Sequence, residues 1–262
     1  MRLPSEISVD PHTMSYTELR QQSISCPGTS LFSKAAQLNK ITELALEGYD
    51  SRASFAYSSI GCSFGAELDS TAALLTNQGV SRAQISGVDI DATTLKAAES
   101  GQYVDPHYIP VVHGLRNKRL RNLGFNTTSN GPGALAIDAS AIRCQHDVMF
   151  YQVNLAEDSF SAVQQNLITC HNVLPHVAED SPKNAKAMAA RLCALVATGG
   201  ILSIASDSGW FNYSYEDKEH AEEVPSYSYL HGRMVHTMQS RYRMEVALRD
   251  EQGHVTALRK VQ

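Results

Sequence analysis

The residues with the clearest chemical potential lie in one turn and at one strand end. Ser59-Ile60-Gly61-Cys62-Ser63-Phe64-Gly65-Ala66-Glu67 sets two glycines where a short apolar run gives way to a helical pattern. Glycine there lets the backbone approach a ligand closely, and the amino end of a helix points unpaired N–H groups toward it. Asp89 closes the next apolar run, where a carboxylate is placed to accept hydrogen bonds from two ribose hydroxyls. In this order, glycine turn and strand-end acid describe a nucleoside site. Taken alone, Asp89 would serve equally as a cap for the helix that follows.

The turn lacks GxGxxG, which disfavours a dinucleotide, and lacks GxxxxGK[ST], which excludes a P-loop. An adenosine ligand without phosphates, such as S-adenosylmethionine, needs no phosphate cradle, and Glu67 just inside the helix is placed to bind its ammonium. A rival reading uses the same residues. Gly61-Cys62-Ser63-Phe64-Gly65 fits G-x-S-x-G, the elbow of α/β-hydrolases, with Ser63 as nucleophile and Asp207 with His231, His236 or His254 completing a triad in the right chain order. Against it, the elbow follows a single strand and no HGG run precedes it.

The elements that must hold these residues follow from periodicity. Ser15 to Glu47 reads as helix, with Leu31, Phe32, Ala35, Leu38, Ile41, Leu44 and Ala45 on one face, Ser30 as cap and Gly48 as stop. Ala53 to Ile60 reads as a buried strand, Ala66 to Asn77 as helix, Gln84 to Ile90 as strand, and Asp91 or Ala92 to Ser100 as helix ended by Gly101. This βαβα unit predicts a parallel sheet with right-handed crossovers. The pattern resumes with a strand at Asn166 to Cys170, a helix at Asn184 to Ala197 and a strand at Gly200 to Ala205. Tyr242 to Leu248 and His254 to Arg259, joined through Asp250-Glu251-Gln252-Gly253, predict an antiparallel hairpin. Between the halves neither period is clear. Leu135 to Ile137 and Val148 to Val153 are read as strands of a small separate sheet within an insertion.

Composition narrows the classes. Over 262 residues, 43% hydrophobic and 19% charged residues describe an ordinary globular chain, and a net charge of −5 without long runs of one sign argues against a nucleic-acid binder. No apolar stretch nears the roughly 20 residues of a membrane span. Met1 to Asp10 is too polar for a secretory signal. Cys26, Cys62, Cys144, Cys170 and Cys193 form no CxxC pair and no HExxH occurs. Reduced thiols in a cytoplasmic protein, without a metal, are expected.

With these residues in place, the chain resembles the CheR-type methyltransferases, which methylate glutamates on chemotaxis receptors. Gly65-Ala66-Glu67 is similar to their GEE. Gly87-Val88-Asp89-Ile90-Asp91-Ala92, followed by Leu95-Lys96-Ala97-Ala98-Glu99-Ser100-Gly101-Gln102-Tyr103, resembles their SDID…LxxAxxGxY segment. Val153-Asn154-Leu155 matches the NL pair that contacts adenine. Asn166 to Leu174 resembles D-x-I-x-C-R-N-V-L, and Thr29 to Ala35 the TxFFRxx start of the catalytic domain. The resemblance implies a class I Rossmann-like α/β fold. Its sheet is mostly parallel and seven-stranded, with an antiparallel carboxyl-terminal hairpin. A helical segment over residues 1–48 precedes a domain over 49–262 with an inserted subdomain at about 104–153. It also implies S-adenosylmethionine as cofactor, S-adenosylhomocysteine as product, and a cofactor site of Gly61, Ser63, Gly65, Glu67, Asp89, Ile90, Asn154, Leu155 and Asn172.

The departures fall on the acceptor side. The family's Arg after FF stands at Ser33, its Arg before Asn at His171 and its Tyr at His176. Only the residues before Thr29 stand where the family has its receptor-gripping helical domain. The cofactor therefore carries over and the chemotaxis role does not. A carboxylate acceptor, on a small molecule, peptide or protein, is already ionised and needs no base. An amine or hydroxyl would have to shed a proton, for which His171 or His176 is placed, with Asn172 shaping the turn. Arg116, Lys118, Arg119 and Arg121 suit an acidic substrate or a solvated helix face, and Trp210, Phe211, Tyr213 and Tyr215 an aromatic wall or loop packing. A non-catalytic domain that binds the cofactor as a sensor or partner subunit stands as the alternative.

Overall fold

A computed structural model describes residues 31, 35–47, 49–50, 53–105, 118, 120–129, 135–155, 157–158, 160, 163–171, 173–174, 177, 181–204, 227–250 and 253–262. Helix α1 (Ala35–Leu46) leads into β1 (Phe55–Ile60), α2 (Ala66–Asn77), β2 (Ala83–Asp89) and α3 (Ala92–Ser100). After β3 (Gln102–Asp105), β4 (Asn126–Ser129), β5 (Leu135–Asp138) and the single turn α4 (Ser140–Arg143) comes β6 (Asp147–Gln152). The chain then runs through β7 (Gln165–Thr169), α5 (Pro182–Leu195), β8 (Val196–Ser203), α6 (Tyr227–Tyr242), β9 (Met244–Arg249) and β10 (Val255–Lys260).

Seven strands form one sheet in the order β6-β2-β1-β7-β8-β10-β9. The first five are parallel, and β10 runs antiparallel to both β8 and β9. Every residue of β1 is buried, as expected of a central strand covered on both faces. Successive side chains of a strand point to opposite faces, and the core divides accordingly. Leu167, Ile201 and Ala257 join α1 and α2 in one cluster with Leu38, Ile41, Leu68 and Leu75. Their neighbours Ile168, Leu202 and Leu258 join α5 and α6 in the other with Met188, Leu192, Met234 and Met238.

The expected mostly parallel seven-stranded sheet with an antiparallel hairpin is thus present. Helix α2 has the bounds its periodicity predicts, and α3 ends at Gly101 as expected, capped at its start by Asp91, which accepts the Thr93 N–H at 2.8 Å. Three expectations differ. Val148 to Val153, expected in the small sheet, corresponds instead to β6, which pairs in register with β2 from Gln84↔Asp147 to Asp89↔Gln152. The small sheet is β3-β5-β4 alone. At the sheet edge β6 is only half buried, and its apolar run Val148-Met149-Phe150-Tyr151 fits a strand of either sheet. The helix expected to reach Ala197 ends at Leu195, and β8 begins at Val196 rather than Gly200. Tyr242, read as the start of a strand, ends the unforeseen helix α6. The Ser30 cap and Gly48 stop, and the helix before residue 31, lie outside the described residues.

A buried ion pair ties the small sheet to the main domain. Arg143 donates from Nε to Asp69 Oδ1 and from Nη2 to Asp69 Oδ2, each at 2.8 Å, and the Tyr103 hydroxyl donates to the same carboxylate. Burial pushes the Asp69 carboxyl upward, and these donors oppose that shift. The Arg143 guanidinium also lies 5.2 Å from the centroid of the Phe150 ring.

Candidate functional site

Because the sheet is parallel from β6 to β8, the carboxyl ends of five strands share one edge. Chain order runs outward from β1 through β2 to β6, then restarts beside β1 at β7. Such a reversal opens a crevice at the strand ends where ligands bind. Gly61 and His171 follow the two strands that flank it.

The turn after β1 is held shut by β2. Gly61 and Cys62 both donate their N–H to Val88 O, at 2.7 and 3.0 Å, and Ser63 N–H donates to Asp89 Oδ2 at 2.8 Å. The turn needs left-handed backbone, with φ of 66° at Gly61, 49° at Ser63 and 81° at Gly65. A Cβ added at Gly61 would fall 2.2 Å from Val173 Cγ2, so the loop after β7 packs directly on the glycine. Ser63 adopts a conformation that costs a non-glycine residue about 1–2 kcal/mol. Its buried Oγ has no hydrogen-bond partner among the described residues. A strained turn with an orphaned hydroxyl suits a ligand-binding role.

Asp89 is 6% exposed and accepts from Ser63 N–H and, at 3.0 Å, from Asp91 N–H. Since Asp91 caps α3, the alternative of Asp89 as that cap is set aside. An ionised carboxylate has about four acceptor positions, so two backbone bonds orient it without filling it. Next to it Ile90 is 58% exposed, an apolar side chain turned out beside a polar one. After β6, Val153 N–H donates to Asp89 O at 2.9 Å, Asn154 N–H to Asp158 Oδ2 at 3.2 Å, and Leu155 is buried. The strand-end residues expected at the site are therefore brought to one edge.

Glu67, in the first turn of α2, faces the interior at 7% exposure. His171 Nδ1 lies 2.6 Å from Glu67 Oε2, and its Nε2 lies 2.7 Å from Ser203 Oγ. Ser203 Oγ in turn donates to Thr256 O at 3.1 Å. Sequence reading missed Ser203, because a lone serine in an apolar strand carries no motif. His171, offered as a base, has both ring nitrogens engaged within the protein. Asn172, His176, Arg116, Arg119, Asp207, Trp210, Phe211, Tyr213 and Tyr215 lie outside the described residues. Lys118 is exposed, and Arg121 donates from Nε to Thr127 Oγ1 at 2.7 Å.

Of the triad proposed for a hydrolase, Asp207 and the side chain of His231 lie outside the described residues. No described histidine bonds to Ser63 Oγ, and His254 pairs with Asp250 on the far hairpin at 3.1 Å. Among the described residues Cys62, Cys144, Cys170 and Cys193 are free thiols, no His/Cys/Asp/Glu group could hold a metal, and no helix is long and apolar enough to cross a membrane.

A sheet of this order with a glycine turn after β1 and an acid after β2 defines a class I methyltransferase fold. The CheR methyltransferase, SAM binding domain family matches residues 28–219, and the chain belongs to it. S-adenosylmethionine is the cofactor of that domain. A search of curated proteins finds no match. Among solved structures, an O-methyltransferase family protein from Burkholderia thailandensis is similar at 15% identity and a TM-score of 0.46, over 87% of this chain and 56% of that one. The plantazolicin methyltransferase BpumL in complex with SAH is similar at 11% identity and 0.44, over 80% and 66%. The glycopeptide N-methyltransferase MtfA complexed with sinefungin is similar at 10% identity and 0.36, over 68% and 50%. The chain thus spans between 50% and 66% of the length of these three proteins.

Proposed function

We propose that this chain is a CheR-like methyltransferase that O-methylates a carboxylate on a small molecule, peptide or protein. The observation that carries the acceptor class is the engagement of His171. Its two ring nitrogens are tied to Glu67 and Ser203, so it is assigned to positioning rather than to proton removal. A carboxylate is ionised at neutral pH and needs no such base.

The residues present fit the cofactor: the orphaned Ser63 hydroxyl, in a turn held in left-handed backbone, supports that reading. Asp89 takes the ribose hydroxyls, Ile90 and Leu155 with Asn154 bracket the adenine, and Glu67 takes the ammonium. Bound there, the cofactor supplies an electrophilic methyl on a sulfonium. The turn from Gly61 to Gly65 holds its backbone in place before any ligand arrives, so little ordering remains to be done on binding. Catalysis then rests on holding the acceptor oxygen close and in line. Asn172 and His176 are proposed to border the acceptor.

Isothermal titration with S-adenosylmethionine and S-adenosylhomocysteine tests the cofactor site. Micromolar binding in wild type is expected to weaken at least tenfold in Asp89→Ala, and absence of heat or thermal shift in wild type would sink the reading. Label transferred from methyl-tritiated cofactor onto a carboxylate panel should be released as methanol by mild alkali. Alkali-stable label would reject a methyl ester. Unchanged single-turnover transfer in His176→Ala would remove that residue from the mechanism.

A further inference from the structure

The bonds beyond Glu67 reach farther into the sheet than cofactor binding alone requires. Glu67 comes from α2, His171 follows β7, Ser203 ends β8 and Thr256 lies in β10. Glu67 and His171 are nearly buried and Ser203 is wholly so. The links are 2.6 Å, 2.7 Å and 3.1 Å long. Buried polar groups at such distances must satisfy one another, because no solvent can do so.

Counting protons shows what the row accomplishes. Ser203 has one hydroxyl proton. Where it goes to Thr256 O, His171 Nε2 must donate to Oγ, and Nδ1 must also carry a proton to meet Glu67. Where it goes to Nε2, a neutral ring still carries its proton on Nδ1, and Thr256 O keeps the Ile204 N–H at 3.0 Å. Both arrangements satisfy every member of the row. In both, with Glu67 ionised, an Nδ1–H points at its Oε2.

We infer that Ser203 is a positioning residue for the amino-acid end of the cofactor, acting through the His171 ring to fix the Glu67 carboxylate in one orientation. This rests on the proposal that Glu67 binds the ammonium. Ser203 touches no ligand itself. It supplies the anchor that stops the imidazole from rotating or adopting the tautomer with a bare Nδ1. Without the hydroxyl, Nε2 has no partner in the row, and the carboxylate is aimed less sharply.

The effect must therefore be selective for ligands with an ammonium. Titration of wild type and Ser203→Ala with S-adenosylhomocysteine and with 5′-methylthioadenosine, which lacks the amino-acid end, reads it directly. The expected result is about tenfold weaker binding of S-adenosylhomocysteine and unchanged binding of methylthioadenosine. Equal loss for both ligands would reduce Ser203 to a packing residue and overturn the inference, as would no loss for either. Wild type that binds neither ligand would instead bring down the cofactor site itself. Nitrogen-15 shifts of the His171 ring in wild type provide a check that needs no variant: a protonated Nδ1 is expected, and a neutral ring with its proton on Nε2 alone would overturn the inference.

Discussion

At the scale of single residues, His146 shows how one buried side chain ties stability to pH. Ala83 N–H donates to its Nδ1 at 3.1 Å, and its Nε2 lies 2.9 Å from Thr76 Oγ1. Nδ1 is thus an acceptor and the ring is neutral. Burial holds its pKa below the ordinary histidine value, against the pull of the Ala72 carbonyl and Asp147. A group whose pKa is depressed by folding stabilises the protein above its unfolded pKa and loses that contribution as pH falls through its folded value. Urea unfolding should therefore show lower stability at pH 5.5 than at pH 7.5. His146→Asn should be less stable at pH 7.5 yet lose less on acidification; an equal loss in both proteins would mean that other groups govern the slope.

At the scale of elements, the small sheet is attached by the Asp69, Arg143 and Tyr103 cluster. Arg143 follows β5 in the turn α4, whereas Asp69 belongs to α2. Their bond therefore spans the junction between sheets. Removing one member of a buried pair strands the other's charge, at a cost of about 3–5 kcal/mol. Arg143→Ala should lose that amount in chemical denaturation, while Asp69→Leu combined with Arg143→Met should lose clearly less. A loss below about 1 kcal/mol for Arg143→Ala would show that the pair is effectively solvated. This cluster also lies against the turn from Gly61 to Gly65, since a Cβ on Gly65 would meet Arg143 Nη2 at 3.3 Å and the Tyr103 hydroxyl at 3.4 Å.

At the scale of the whole molecule, ligand binding and folding are linked. A ligand that binds only the folded state stabilises it by about 2.7 kcal/mol at a hundred times its Kd. For a domain of this size that is a rise in Tm of roughly 5–11 °C, at about 2–4 °C per kcal/mol. S-adenosylhomocysteine at such an excess should raise the melting point of wild type by that amount and that of Asp89→Ala by about half as much or less, since tenfold weaker binding leaves about 1.4 kcal/mol. The same rise in both would place the binding elsewhere than the end of β2.

The sequence by itself determined the frame and the strand ends on which the proposed cofactor site is placed. Short apolar runs separated by amphipathic helices can only be buried as parallel strands under two helical layers, and that periodicity is local, so α2, α3 and β2 were readable to within a residue or two. The positions of Gly61, Gly65 and Asp89 were readable because a glycine turn and a strand-end acid are local features of the chain. Tertiary structure alone decided the rest. The apolar run of β6 marks a strand but not its neighbour, so its membership of the main sheet came from its pairing with β2. The partners of Glu67 lie 104 residues away at His171, and those of His171 a further 32 residues on at Ser203. No local pattern records such a contact, because it arises only when α2, β7 and β8 converge. The same residue that sequence spacing offers as a base has both ring nitrogens engaged through that convergence, since a buried imidazole must satisfy them with whatever the fold brings beside them.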